Sequence, residues 1–273
     1  MTQHLLGRKG AARIALIPPE VLQALNAGAV PTVNLNEFLA IDLGRLARNV
    51  AAQVGLDPQA ERLDDTLAML PAFPPVKRHL HVARALYDLT EARADRDAIA
   101  HALATHPSDV ARSWAAQWIA FARVPLHEKL ASVLRFAADP HFGVREMAWM
   151  AVRDEIAGDI DAAVRLLQPW ATHPDPNVRR FASEATRPRG VWCAQIETLK
   201  SEPWRGLPLL DPLRADASRY VQNSVANWLN DAAKTQPAWV REVCTGWARG
   251  RPSPATQYIV RRAQRSIAGD DGA

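Results

Sequence analysis

From about residue 106 onward the chain repeats one short pattern of polar and apolar positions. A turn rich in Pro or Asp is followed by a valine, and then by a stretch at helical spacing that opens on a basic or amide residue. The clearest copies are His141–Ala151 (HFGVREMAWMA), Asn177–Ala185 (NVRRFASEA), Tyr220–Trp228 (YVQNSVANW) and Tyr258–Ile267 (YIVRRAQRSI), with a weaker one over Ser108–Ile119. Aligned on Val110, Val144, Val178, Val221 and Val260, the copies lie 34, 34, 43 and 39 residues apart. A period in that range, filled by helical pattern, is the signature of a HEAT-like array in which each repeat buries its apolar face on its neighbours. The predicted fold is all-α: a curved α-solenoid of HEAT-like helical repeats.

The rest of the pattern supplies the remaining elements. A helix is predicted over Pro19–Asn26. Leu35, Leu39, Leu43, Leu46 and Val50 fall near helical spacing and predict one amphipathic helix over Asn34–Val54. Helices over Asp64–Leu70 and Lys77–Ala92 are separated by the breaker PAFPP at Pro71–Pro75. His106-Pro107, Asp139-Pro140, His173-Pro174 and Pro254 punctuate the starts of repeat helices, because Pro tolerates a first helical turn and Asp caps one. No run alternates with period two. The expected layout is one continuous domain over 1–273: an N-terminal helical cap over 1–75, repeats over 76–267 and a frayed tail over 268–273.

Composition narrows the class only a little. No apolar run approaches the roughly 18–20 residues of a membrane span, and the first residues lack the apolar core and cleavage site of a secretory leader. Cys193 and Cys244, the two cysteines, make neither a disulfide framework nor a metal-ligand cluster. The expectation is a cytoplasmic monomer with no metal, no cofactor and no membrane partner. Net charge is only +4, but its distribution is uneven. Arginines crowd Asn177–Gly190 and Val240–Arg265, and arginine binds phosphate in planar, bidentate fashion, which points to a polyanion partner.

Within a repeat helix the valine and the residue four later face the core, as with Val178 and Ala182 or Val221 and Val225. Positions two, six and ten after the valine then share another face. They hold Glu146, Met150 and Asp154; Arg180, Glu184 and Pro188; Asn223, Asn227 and Asp231; Arg262 and Ser266. Stacked repeats would line these up, so Glu146, Glu184 and Asp231 would share a surface with Arg180, Asn223 and Arg262. The plainer reading is a ladder of ion pairs between repeats. Two features argue for more. Asn223, Asn227 and Asn230 crowd one helix although Asn is a poor helix former. And Arg187-Pro188-Arg189-Gly190 ends a helix and presents Trp192 in a turn near Glu184, where a ring face and an acid together suit a cation. Trp114, Trp118, Trp149, Trp170, Trp228 and Trp247 read as packing residues, Trp149 with the weakest claim to that.

RRFASEATRPRGVW (Arg179–Trp192), SVANWLNDAAK (Ser224–Lys234), IVRRAQRSI (Ile259–Ile267) and VNLNEFLAIDLGRL (Val33–Leu46) together resemble the AlkC branch of the AlkC/AlkD-type DNA alkylation-repair glycosylases. That resemblance implies removal of cationic N-alkylated purines, chiefly 3-methyladenine, from double-stranded alkylated DNA, by an enzyme that is cytoplasmic and nucleoid-associated when acting. It implies acids at Asp231, Glu184 and, on a weaker match, Glu146. It implies substrate contacts by Trp192, with Asn227 and Trp149 beside it. DNA contacts are expected from Arg145, Arg179, Arg180, Arg187, Arg189, Asn223, Lys234, Arg261 and Arg262. It also implies reading of the duplex without a tight base pocket. Some members carry a C-terminal immunoglobulin-like domain, for which the residues after Ile267 leave no room in this chain.

The chemistry fits those residue types. A purine alkylated on N3 is already cationic and leaves without protonation, so carboxylates are needed to stabilise an oxocarbenium-like sugar and place a water. Two other readings compete: a helical-repeat protein that binds branched or damaged DNA without catalysis, and a protein-interaction scaffold.

Overall fold

The computed structural model describes residues 3–56, 60–190 and 192–267. Val191 and the expected frayed tail, 268–273, lie outside the described residues. All regular structure among those described is helical: α1 (Pro19–Asn26), α2 (Leu35–Ala40), α3 (Leu43–Gln53), α4 (Ala60–Met69), α5 (Pro75–Thr90), α6 (Arg96–Ala104), α7 (Asp109–Phe121), α8 (Leu126–Ala137), α9 (Phe142–Met150), α10 (Arg153–Gly158), α11 (Ile160–Leu167), α12 (Pro176–Glu184), α13 (Glu197–Ser201), α14 (Leu207–Leu210), α15 (Arg219–Ala233), α16 (Pro237–Ala248) and α17 (Pro254–Ala263).

The expected single helix over Asn34–Val54 is two helices. Ile41 adopts extended backbone, and the Asp42 side chain caps α3 by accepting the Arg45 N–H. The split explains why Leu46 and Val50 are fully buried while Leu35 and Leu39 are each 47% exposed. One apolar stripe drawn through all five residues crosses a break in the helix axis.

Contacts sort the chain into two compact units, one of residues 1–123 and 140–151, the other of 124–139 and 152–273. In the first, α3 packs on α1, α4 and α5, and α7 packs on α5, α6 and α9. In the second, α15 lies between α12 and α17, with α16 against both α15 and α17. Trp114 and Trp149 fill the first unit; Phe181 and Trp228 fill the second. Trp118 is buried as well, whereas Trp170 and Trp247 are half-buried. Gly206 is required where it stands, since a Cβ there would meet Trp228 Cζ2 at 2.4 Å.

A back-bond recurs at the start of the repeat helices. Arg112 Nη1 donates to the carbonyls of His106 (2.8 Å) and Pro107 (3.1 Å), and Arg145 Nη1 to that of Pro140 (2.8 Å). Arg179 Nη1 donates to His173 O (2.8 Å) and Pro174 O (2.9 Å). Gln222 Nε2 reaches Asp216 O (2.7 Å), and Gln257 Nε2 reaches Pro252 O (3.0 Å). In three of these turns the leading side chain also accepts a backbone N–H two residues on: His106 from Ser108, His173 from Asp175 and Asp216 from Ser218. The punctuation seen in the sequence is thus a small hydrogen-bonded unit that satisfies the carbonyls and amides of a helix entry.

This unit corrects the alignment of two copies. Residues 112, 145, 179, 222 and 257 are equivalent, so Ala111 and Thr256, not Val110 and Val260, take the valine position. Thr256 is buried, whereas Val260 is only half-buried. The Tyr258 hydroxyl donates to Asn223 Oδ1 at 2.6 Å, joining equivalent positions of adjacent helices as the corrected register requires.

Candidate functional site

In the second unit α12 and α15 bring Glu184 and Asp231 together. The turn that follows α12 sets the link between them. Arg187 is held at both ends of its backbone: its N–H donates to Glu184 O (3.2 Å), and its carbonyl accepts from Arg153 Nη2 (2.7 Å). Arg153 is itself buried and also donates to Ala194 O (3.1 Å) and Ala185 O (2.9 Å), so one guanidinium ties the helix end to the loop beyond it. Ile196 N–H closes that loop onto Pro188 O at 3.0 Å.

From this fixed backbone the Arg187 side chain spans both acids. Nη1 donates to Glu184 Oε1 (2.8 Å), while Nε (3.0 Å) and Nη2 (2.8 Å) donate to Asp231 Oδ2. Glu184 is satisfied on its second oxygen as well. Ser224 Oγ donates to Oε2 at 2.7 Å, with Ser183 Oγ donating to Ser224 Oγ at 2.8 Å, and Arg180 Nη2 lies 3.3 Å from Oε2. Asp231 differs. Among the described residues its Oδ1 faces only Lys234 Nζ, at 3.7 Å.

Burial would push both carboxyls up, and their neighbours decide the outcome. At Glu184, burial is outweighed by Arg180, Arg187 and the Ser224 bond, and the group is held below the usual carboxylate range. At Asp231, burial prevails over Arg187 and Lys234, aided by the Glu184 charge, and the group lies above that range. For Arg187, burial opposes the charge but the two acids more than restore it. Arg187 thus joins the two carboxylates, and Asp231 Oδ1 is the one oxygen of the pair with no short bond among the described residues.

Around this centre, Asn227 Oδ1 accepts from Arg265 Nη2 at 3.0 Å, and Arg265 Nη1 donates to Arg262 O at 2.7 Å. Arg180 stacks on the Tyr220 ring (4.7 Å). The guanidinium carbons of Arg219, Arg261 and Arg262 lie 3.6, 5.7 and 5.6 Å from the centroid of the Tyr258 ring, with no acidic partner among the described residues. Arg189 donates to Gln195 Oε1 at 3.3 Å. Trp192 is 65% exposed and has φ of 61°, a left-handed backbone that a non-glycine residue adopts only under local constraint.

Four expected site residues are placed otherwise. Arg179, expected on DNA, is bound through Nε (2.6 Å) and Nη2 (3.0 Å) to Asp216 as well as to two carbonyls, which leaves it a clamp at the helix entry. Arg145 makes the corresponding carbonyl bond in the first unit. Trp149, expected on substrate, is buried at 1% exposure with its indole N–H on Glu146 Oε2 (2.8 Å), so its ring offers no open face and instead fixes Glu146 on α9. Arg187, expected on phosphate, is committed to the two acids. Sequence reasoning missed Arg153, Ser183, Ser224, Arg219 and Arg265. Arg265 stood in the quoted IVRRAQRSI stretch, and Ser224 four residues after Tyr220; a buried arginine such as Arg153 leaves no local signal.

Among the described residues no group of three or more His, Cys, Asp or Glu could hold a metal ion, and no helix is long and apolar enough to cross a membrane. A helical-repeat scaffold that presents paired, buried carboxylates within an arginine-rich surround defines the class. The fold is that of the AlkC and AlkD-type proteins. Pseudomonas fluorescens AlkC, an alkylpurine DNA glycosylase whose structure holds DNA containing an abasic site analog, superposes with a TM-score of 0.69 at 24% identity, over 94% of this chain and 65% of that one. AlkD2 from Streptococcus mutans matches with a TM-score of 0.57 at 19% identity, over 75% of this chain and 98% of that one. A stretch of 117 residues is 41% identical to the uncharacterized protein YhaZ of Bacillus subtilis (strain 168), covering 43% of this chain and 32% of that protein. The chain thus spans about a third of YhaZ and just under two thirds of AlkC. No family model matches it.

Proposed function

We propose that the protein is a DNA glycosylase that hydrolyses the N-glycosidic bond of cationic N-alkylated purines, with 3-methyladenine as its main substrate, in the repair of alkylated double-stranded DNA. The observation that carries this reading is the Glu184–Arg187–Asp231 assembly, in a fold shared with a glycosylase that was captured on DNA. Asp231 has the open oxygen, Oδ1, and is the residue that faces the sugar; it stabilises the developing oxocarbenium and orients the attacking water. Glu184, with both oxygens taken, is a positioning residue that fixes Arg187 and through it Asp231. Trp192 supplies an exposed ring to a cationic base. Arg219, Arg261 and Arg262, without an acidic partner among the described residues, suit backbone phosphates. Glu146 lies in the other unit, and its part in the reaction is a separate proposal tested by Glu146→Gln.

Base release from methylated duplex DNA by the purified protein is the test. Asp231→Asn is expected to lower the rate of 3-methyladenine release by about 100-fold or more, the size of effect seen when one preorganised electrostatic group is removed. Glu184→Gln should have a smaller effect in the same direction, and Trp192→Ala should slow release more than it weakens binding of undamaged DNA. A wild type that binds duplex but frees no base would replace this reading with a non-catalytic DNA-binding one, and wild-type rates in both acid variants would remove the acids from the chemistry.

A further inference from the structure

Arg187 occupies an unusual position for a residue in an arginine-rich, phosphate-seeking segment. Three of its N–H groups are spent inside the site: two on Asp231 Oδ2 and one on Glu184 Oε1, at 2.8–3.0 Å. Its backbone is pinned at both ends, and its side chain is mostly buried. A phosphate contact needs an exposed fork with donors to spare, and this guanidinium instead sits between two acids, of which Glu184 also meets Ser224 and Arg180 while Asp231 otherwise faces Lys234 at 3.7 Å.

We propose that Arg187 is the positioning residue of the site: by holding Glu184 and Asp231 on one guanidinium it keeps them a pair of anions, able to stabilise a cation but unable to supply a proton. The consequence is selectivity. A neutral purine leaves when an acid protonates it, and the more Arg187 favours the ionised carboxyls against burial, the less proton the site has to give. A cationic alkylpurine needs none. Restriction to cationic bases then comes from one arginine rather than from the shape of a base pocket. This inference rests on the glycosylase reading for its consequence, but the ionisation claim stands by itself.

The neighbouring charges support Arg187 as the deciding one. Asp231 is faced by Lys234 on its own helix, Arg187 and Glu184 from α12 and its turn, and Arg265 beyond α17. Lys234 stands at 3.7 Å with an exposed side chain, too far and too solvated to replace the two short bonds. Glu184 is faced by Arg180 and Arg187, with Arg153, Cys193 and Asp154 behind the turn. Arg180 lies at 3.3 Å and is shared with the Tyr220 ring. Removing Arg187 leaves Asp231 buried with no short partner, and burial already holds it high.

The experiment follows the carboxyl carbons of Glu184 and Asp231 by NMR across a pH titration, in wild type, Arg187→Gln and Arg187→Lys, beside the pH–rate profile of base release. In Arg187→Gln both carboxyls should titrate at least about one unit higher, as loss of an adjacent opposite charge does. The acid limb of the profile should move up with them. At neutral pH the turnover rate should fall by about 100-fold while the KM for DNA changes less than about threefold, and raising the pH should recover part of the loss. Arg187→Lys, which keeps a charge but not the fork, should fall between. Unchanged carboxyl titrations in Arg187→Gln would overturn the assignment, as would a loss confined to KM together with a weaker salt dependence of binding, which would make Arg187 a phosphate contact. A wild type that frees no base would sink the glycosylase reading, and the titrations alone would then decide the role of Arg187.

Discussion

Glu184 and Asp231 are a matched pair only in formula. One has three partners in the site; the other has an oxygen with no short bond among the described residues. Their contributions to stability have opposite signs. The Glu184 carboxyl is depressed below its ordinary value near 4.5, so its contribution is present above that pH and is lost as the pH falls through the folded-state value. The Asp231 carboxyl is raised above its ordinary value near 3.8, so its contribution is present below that pH and is lost as the pH rises through the folded-state value. Ionising Asp231 is therefore a cost that the fold carries, a trade of stability against activity. Urea unfolding at pH 7 should show Glu184→Gln destabilised by about 1–3 kcal/mol, the size of a lost hydrogen bond to a charged group, and Asp231→Asn unchanged or more stable. Lowering the pH below the Glu184 transition should close the gap between wild type and Glu184→Gln. A destabilised Asp231→Asn at pH 7 would reverse the assignment.

At the scale of elements, the repeated helix entry separates arginines that build from arginines that bind. Arg112, Arg145 and Arg179 each spend donors on carbonyls of the turn before their own helix, and Arg179 adds a bidentate bond to Asp216, whose side chain is 5% exposed. Breaking a buried, hydrogen-bonded pair by removing one member is costly. Arg179→Ala should lose about 2–4 kcal/mol in urea unfolding and leave the salt dependence of DNA binding as in wild type; a weaker salt dependence with unaltered stability would restore Arg179 to the DNA surface. The helix entries also show where legibility ended. Pro and Asp markers gave where the repeat helices begin, because capping is local. The register of the last repeat was misread by four residues, since Val260 and Thr256 lie one turn apart on the same helix and only the back-bond of Gln257 distinguishes them. The Asn34–Val54 span differs for a related reason: five leucine and valine positions keep the period across a break between two helices, where Ile41 is extended and Asp42 caps the second.

Taken as a whole the molecule is only weakly basic, at +4, so the DNA contact proposed above would draw on places where charge is left unneutralised. Arg219, Arg261 and Arg262 around Tyr258 are such a place. Each arginine that meets a phosphate adds about 0.9 to the slope of log affinity against log salt. The Arg219→Ala and Arg262→Ala double variant should therefore lower that slope by about 2 with undamaged duplex, and a slope equal to that of wild type would move the DNA path off this cluster.

By itself the sequence determined the all-α repeat architecture, its approximate period, the buried valine positions of α9, α12 and α15 and the motifs that carry Glu184 and Asp231. Those properties follow from spacing within one or two helical turns, where i and i+4 positions meet whatever the rest of the chain does. Tertiary structure alone decided which charges meet. Asp231 lies 44 residues from Arg187 and Ser224 lies 40 from Glu184, and Arg153 reaches 34 residues to the Arg187 carbonyl. No local rule fixes such pairs. They depend on how one repeat packs against the next, and burial then turns each partner into either a structural tie or a functional charge.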